Sequence, residues 1–316
     1  MLISIIIPCY RSEETLPAVV EEIRREFAQH NAYDYQILLV NDGSPDQGAT
    51  YRTIQKLCLE DSKITGIDMS RNFGQSRAKM AALPHVKGDY VVYMDDDGQH
   101  PASGIFTLVE KIREGYDVVY AQFPRKKHSL FKRVTSNMFR RVQELLLVKP
   151  HDIYISSFFA LTRFAADALM QYHSPSPSAG AFLMNITTRF ANATVEHRGR
   201  IAGESGYSLK KLFSLALTTM TNFTMVPLRA SAVVGAAIAV LGFLYGLFLV
   251  IQKLVFPSVA IGYTSQMAVL LLLGGMILLV LGIVGEYIGR IYMILSDLPQ
   301  YVIREVIHAE DVKSSQ

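Results

Sequence analysis

Along the first third of the chain, short apolar runs alternate with helical patterns. Ile3 to Pro8 is rich in branched residues, which predicts a buried strand. Thr15-Leu16-Pro17 then opens a helix to about Gln29, with Val19, Val20, Ile23 and Phe27 recurring on one face. Gln36 to Val40 predicts a second strand, Ala49 to Glu60 a helix, Ile64 to Asp68 a third strand and Tyr90 to Met94 a fourth. Ile105, Leu108, Val109 and Ile112 mark a further helix that stops at Gly115, and Val118 to Ala121 a fifth strand. Strands alternating with helices predict an α/β fold with a mostly parallel sheet covered on both faces.

The pattern changes near residue 208. Ser208 to Val226 places Leu209, Leu212, Phe213, Leu215 and Ala216 near helical spacing, an amphipathic helix suited either to a membrane surface or to packing on the domain. Ala230 to Gln252 carries no charge, and a second uncharged run extends from Leu254 to Gly285, most apolar from Met267 to Val284. Each is long enough for a bilayer core, which takes about 20 residues. Pro257 and Gly262 break the stretch between them. The expected division is an α/β domain over 1–207, a juxtamembrane helix over 208–228, spans over 229–253 and 266–289 with a loop over 254–265, and a tail over 290–316. Lys210, Lys211 and Arg229 precede the first span, Arg290 and Arg304 follow the second, and the loop side offers only Lys253. The excess of basic residues outside the hairpin predicts both ends on the cytoplasmic side of the membrane. The spans are also a candidate surface for a homo-oligomer.

Composition narrows the classes. A net charge of +3 with no dense basic stripe argues against nucleic acid as a partner. The two cysteines, Cys9 and Cys58, lie in no metal-type spacing and read as reduced thiols. The apolar run at the N-terminus is too short for a signal sequence and lacks a basic flank. There is no G-x-G-x-x-G after the first strand and no Walker A sequence.

The polar clusters fall where predicted strands end: Pro8-Cys9-Tyr10, Asn41-Asp42-Gly43-Ser44, and Asp95-Asp96-Asp97-Gly98-Gln99. In parallel sheets, ligands bind outside the carboxyl ends of strands. Three adjacent aspartates repel one another, and a divalent cation neutralises them directly; the alternative is a solvated acidic turn. Hard oxygen donors suit Mg²⁺ or Mn²⁺, which take one or two carboxylates and complete their shells with water and substrate phosphates. Such a metal would meet a donor diphosphate, with Arg71, Arg125, Lys132 and Arg133 as candidate anion clamps.

These residues, with Ser70-Arg71-Asn72-Phe73-Gly74 and His100-Pro101, resemble the family 2 glycosyltransferases of GT-A fold, and more narrowly the polyprenyl-phosphate glycosyltransferases. Gly203-Glu204-Ser205-Gly206-Tyr207 is similar to the Gly-Glu-Ser-Lys-Tyr motif before the membrane part of that group, and Gly285-Glu286-Tyr287-Ile288-Gly289-Arg290 closes the second span as in its two-span bacterial members. The resemblance implies an enzyme of the bacterial inner membrane with a cytoplasmic catalytic domain. It implies inverting transfer of a single sugar from a nucleotide sugar, a UDP-sugar by family frequency, to undecaprenyl or another polyprenyl phosphate. The product would serve modification of cell-envelope glycans such as lipopolysaccharide. By position it implies that Pro8, Tyr10, Asp42, Ser44 and Asp96 hold the nucleotide. Asp95, Asp97 and Gln99 would hold Mg²⁺ or Mn²⁺, with Asp95, Asp97 and Arg125 catalytic. Lys132, Arg133, Ser136, Arg198, Arg200 and Lys210 would meet the acceptor phosphate and donor diphosphate.

Two positions depart from the group. The motif lysine is Gly206 here, and the Gly-Asp-Phe-Arg of many relatives reads Ser156-Ser157-Phe158-Phe159, so no general base carries over there. A phosphate monoester acceptor is already anionic at pH 7 and needs none. A processive polysaccharide synthase is disfavoured because the chain has no tryptophan for the Gln-x-x-Arg-Trp motif those enzymes share, and has only two spans. A non-catalytic scaffold that binds nucleotide sugar is disfavoured by the intact acidic cluster.

Overall fold

The structure is a computed structural model that describes residues 1–123, 153–172, 179–196, 226–255, 262–296 and 298–309. It divides into two compact units, one formed by Met1–Gly206 with Leu298–Gln316 and the other by Tyr207–Asp297.

In the first unit the predicted elements form as β1 (Leu2–Cys9), α1 (Leu16–Gln29), β2 (Asp34–Asn41), α2 (Ala49–Glu60), β3 (Ile64–Met69), β4 (Tyr90–Tyr93), α4 (Ser103–Arg113) and β5 (Val118–Gln122). Between β3 and β4 lies α3 (Gln75–Ala82). After β5 come β6 (Phe159–Thr162), α5 (Arg163–Met170), α6 (Ala179–Ile186) and β7 (Phe190–Thr194), and β8 (Ile303–Ile307) returns from the far end of the chain. The sheet order is β7-β5-β6-β4-β1-β2-β3-β8. β1 pairs in parallel with both β2 and β4, and β2 with β3. Only β6 and β8 run against the rest. The sheet is therefore mostly parallel, with two antiparallel strands that the apolar pattern did not announce.

The sheet owes its two-sided burial to strand alternation. Ile3, Ile5 and Ile7 of β1 face one core with Val19, Val20, Ile23 and Phe27 of α1 and Ile105, Leu108, Val109 and Ile112 of α4. Ile6 faces the other core with Leu38, Val40, Ile67, Tyr93 and the alanine-rich α3. Each fully buried branched side chain of this kind contributes about 1.5–3 kcal/mol. Gly115 ends α4 in a left-handed conformation with φ +108, as its place after the last apolar residue of the helix predicts.

Residues 290–316, read from sequence as a tail, contain β8. It pairs antiparallel with β3, and Ser70 N donates to Val302 O at 2.9 Å. Arg304 adds a hydrogen bond to Ser70 O at 3.2 Å, and Tyr51 of α2 donates to Glu305 at 2.7 Å. The strand thereby covers what would otherwise be an open sheet edge.

The second unit contains two helices, α7 (Val226–Val255) and α8 (Tyr263–Leu295). Both are long and apolar enough to cross a membrane over Ser231–Phe248 and Leu273–Leu295. Their apolar side chains, among them Leu241, Phe243, Leu278 and Leu281, are exposed. The helices exceed the predicted spans, α8 by six residues beyond Gly289, where Arg290 pairs with Glu286 at 2.6 Å. The juxtamembrane segment 208–225 lies outside the described residues.

Candidate active site

The three polar clusters meet at the carboxyl ends of β1, β2 and β4. Asp96, just past β4, accepts hydrogen bonds from Tyr10 N at 3.2 Å and from the Ser12 hydroxyl, tying the third cluster to the first. Arg11 N donates to Ser44 Oγ at 3.1 Å, tying the first to the second. Arg11 is held at φ 57, a left-handed conformation that a side chain rarely adopts, and such strain concentrates at functional sites. Tyr10 is exposed beside these contacts, whereas Pro8 is buried within β1 opposite Val40.

The β2 cluster is cross-braced. Ser44 Oγ donates to Asn41 Oδ1 at 2.7 Å, and Asn41 Nδ2 donates to Asp68 Oδ1 at 2.7 Å. Asp42 accepts from Phe73 N at 2.7 Å and from Gly74 N at 2.9 Å, so its carboxylate locks the 70–74 loop onto β2. Gly43 makes that close approach possible: a Cβ there would lie 2.2 Å from the Arg71 carbonyl carbon. Arg71 in turn stacks over the Phe73 ring at 4.7 Å. Burial pushes the Asp42, Asp68 and Asp96 carboxyls above the ordinary carboxylate range, against hydrogen bonds that favour the charged form.

Asp95 is engaged through both carboxylate oxygens. Its Oδ1 accepts from Gln75 Nε2 at 2.6 Å and its Oδ2 from Ser157 Oγ at 2.7 Å. Lys79 Nζ lies 3.8 Å from Oδ1 and His100 Nε2 3.8 Å from Oδ2. Asp95 N donates to His100 Nδ1 at 3.1 Å, which leaves the ring proton on Nε2. Gln75 and Lys79 are one turn apart on α3, so a single helix face delivers both groups to the same carboxylate. Lys79 is itself buried, and burial pulls its ammonium below the ordinary lysine range while Asp95 opposes that pull. Asp97 Oδ1 accepts from Gln99 N at 3.1 Å, which folds Asp97 and Gln99 into one turn after β4.

Residues 4–169 match the family model described as Glycosyl transferase family 2, and residues 226–291 match the one described as GtrB C-terminal hairpin. The chain belongs to glycosyltransferase family 2. This family 2 glycosyltransferase is 34% identical over 320 residues to an undecaprenyl-phosphate 4-deoxy-4-formamido-L-arabinose transferase of Klebsiella pneumoniae (strain 342), covering 99% of this chain and 96% of that one. It is 33% identical over 310 residues to the SfII prophage-derived bactoprenol glucosyl transferase of Shigella flexneri, covering 96% of this chain and 98% of that one. Glucosyl-3-phosphoglycerate synthase from Mycobacterium tuberculosis in complex with UDP is similar at TM-score 0.51 and 17% identity, over 70% of this chain and 78% of that chain. The same synthase with Mn²⁺, UDP-glucose and phosphoglyceric acid gives TM-score 0.50 at 18% identity, over 70% and 78%. The sheet domain of the glycosyltransferase is thus of GT-A type.

The donor set fits a hard divalent cation. Among the described residues no group of three or more His, Cys, Asp or Glu gathers in a metal-holding arrangement. A metal completed by substrate phosphates takes only one or two carboxylates from the protein, and Asp95, Asp97 and Gln99 lie together just past β4. Asp95 already meets Gln75 and Lys79 on Oδ1 and Ser157 and His100 on Oδ2, so a cation there would share the carboxylate with these groups. Arg125, Lys132, Arg133, Ser136, Arg198, Arg200 and Lys210, with Gly203 to Ser208, lie outside the described residues.

Three side chains at this site were not singled out from sequence, Ser12, Gln75 and Lys79, and His100 was named only as part of a motif, with no role. Gln75 and Lys79 had a signal, two polar residues at i and i+4, the spacing of one helix face. Ser157, noted only as a missing carboxylate, is a ligand of Asp95 in its own right.

Proposed function

We propose that this glycosyltransferase moves one sugar from a nucleotide diphosphate sugar, a UDP-sugar, to undecaprenyl or another polyprenyl phosphate, with inversion at the anomeric carbon. The convergence of the β1, β2 and β4 strand-end clusters carries the reading, together with near-full-length similarity to two transferases named for that lipid acceptor.

Pro8, Tyr10, Asp42, Ser44 and Asp96 form the nucleotide side. Tyr10 presents an exposed ring for the base, while Asp42 and Ser44 fix the loops beside it. A bound Mg²⁺ or Mn²⁺ would be held by Asp95, Asp97 and Gln99 and would stabilise negative charge on the departing nucleoside diphosphate. Arg125, Lys132, Arg133, Ser136, Arg198, Arg200 and Lys210 supply the cationic and hydroxyl contacts for two phosphate groups. The acceptor phosphate is anionic, so alignment of its oxygen with the anomeric carbon suffices and no residue need remove a proton. The serine at 157 is compatible with this, since its hydroxyl donates a hydrogen bond to Asp95 and is no base.

The two apolar helices cross the bacterial inner membrane as a hairpin. Basic residues flanking it, Lys210, Lys211, Arg229, Arg290 and Arg304, keep the catalytic domain and both ends in the cytoplasm. The test is extraction of lipid after membranes carrying the protein are incubated with labelled nucleotide sugars and undecaprenyl phosphate. A lipid bearing one sugar supports the reading, a polymer assigns the chain to processive synthesis, and no product with any donor in a broad panel refutes it.

A further inference from the structure

A buried lysine beside a metal-binding carboxylate is an electrostatic anomaly. Lys79 reaches Asp95 Oδ1 at 3.8 Å and the Ser157 carbonyl at 3.4 Å, and its ammonium lies 5.7 and 5.8 Å from the ring centres of Tyr93 and Phe159. Its side chain is 9% exposed. Taking an ammonium out of water costs several kcal/mol unless a counter-charge compensates it, and Asp95 is the carboxylate at hand. The charge is thus fixed in place by the walls around it.

We propose that Lys79 is a positioning residue that acts as the resident counter-cation of Asp95, so that a divalent cation enters the site tightly only together with the donor diphosphate. The proposal rests on the reading of Asp95, Asp97 and Gln99 as metal ligands. With Lys79 in place, the Asp95 charge is already matched, and a bare divalent ion meets a like charge that cannot retreat to solvent. A nucleoside diphosphate brings negative charge of its own and offsets that repulsion. Metal and nucleotide then bind cooperatively, each raising the affinity of the other by the same factor, as linkage requires. The consequence for the enzyme is that the metal need not dwell in an empty site, and the site assembles only when a nucleoside diphosphate group is present.

The test uses the full chain in detergent, with Mn²⁺ and UDP as probes. Free Mn²⁺ is followed by electron paramagnetic resonance with and without UDP, for the wild type, Lys79→Met, Lys79→Gln and Lys79→Arg. Removing the charge is expected to tighten Mn²⁺ binding without UDP on the order of tenfold and to shrink the UDP-dependent gain by the same factor. Lys79→Gln keeps polarity without charge and should behave as Lys79→Met does. Lys79→Arg keeps the charge and should retain the wild-type cooperativity. Unchanged or weaker Mn²⁺ affinity in both neutral variants, with the UDP gain intact, would overturn the proposal alone. A wild type that binds no Mn²⁺ even with UDP would overturn the metal assignment and the proposal together.

Discussion

Ser157 Oγ donates a 2.7 Å hydrogen bond to Asp95 Oδ2. The residue that stands where the resemblance would put a carboxylate therefore serves the acidic cluster as a donor. With Gln75 on the other oxygen, it fixes the rotamer of Asp95 from both sides.

That contact makes Ser157 substitutions discriminating. Ser157→Ala removes one donor and should lower transfer a few-fold, the scale of one lost charge-assisted hydrogen bond held by a partner that keeps its others. Ser157→Asp places two carboxylates within hydrogen-bond reach, and their repulsion should cost transfer at least about tenfold. Initial rates of lipid-linked sugar formation measure both. A rate gained by Ser157→Asp would show that the reaction wants a base at this position.

Asp97→Asn keeps the size of the side chain and an acceptor for Gln99 N, so the domain should fold and the hairpin should insert as before. It removes the carboxylate proposed to bind the metal, and should abolish transfer together with the metal-dependent part of UDP binding. Calorimetric UDP titrations with and without Mn²⁺ read this directly, and retained transfer would remove the metal from the mechanism.

Asp42→Ala releases two backbone N–H groups, Phe73 and Gly74, from their buried acceptor. Stability should fall by about 1–3 kcal/mol, the cost of leaving such groups unpaired. The loosened 70–74 loop should raise KM for the donor more than it lowers kcat. Chemical denaturation and steady-state kinetics on the same preparation separate the two effects.

How far the fold could be read from sequence depended on how local its signals were. The strands β1 to β5 of the central sheet and α1, α2 and α4 announced themselves by continuous apolar runs and by the four-residue spacing of Val19, Ile23 and Phe27. β8 did not, because its exposed Arg304 and Glu305 interrupt the apolar residues and its partner Asp68 is far away in the chain. α3 was missed because Ala78, Ala81 and Ala82 pack without a strong apolar stripe, while its most informative residue, Lys79, is a charge in a buried position. The acidic cluster was legible because strand ends in parallel sheets are where ligands bind. The cross-links Asp96 to Ser12 and Arg11 to Ser44 were not, since nothing local records which loops a sheet order brings together.

Asp68 offers a pH test away from the aspartate cluster past β4. Burial raises its pKa above the unfolded value of 3.8, so the folded state binds the proton more tightly than the unfolded chain. Stability from this group is therefore lost as pH rises from the unfolded pKa through the folded one, and the full penalty remains at neutral pH. Asp68→Asn keeps an acceptor for Asn41 and removes the penalty, at the loss of an exposed Arg304 contact at 3.9 Å that contributes little. The variant should melt higher than the wild type at pH 7, and the gap should close as pH falls toward 4. A gap that widens on acidification would contradict the assignment.

The most direct measurement is the mass and anomeric configuration of the lipid product made by the purified protein from undecaprenyl phosphate and its best UDP-sugar. Transfer by direct displacement predicts one sugar per lipid phosphate, an anomer opposite to that of the donor, and no product when divalent cations are chelated. Retained configuration, a second sugar on the same lipid, or full activity in the chelator would contradict it.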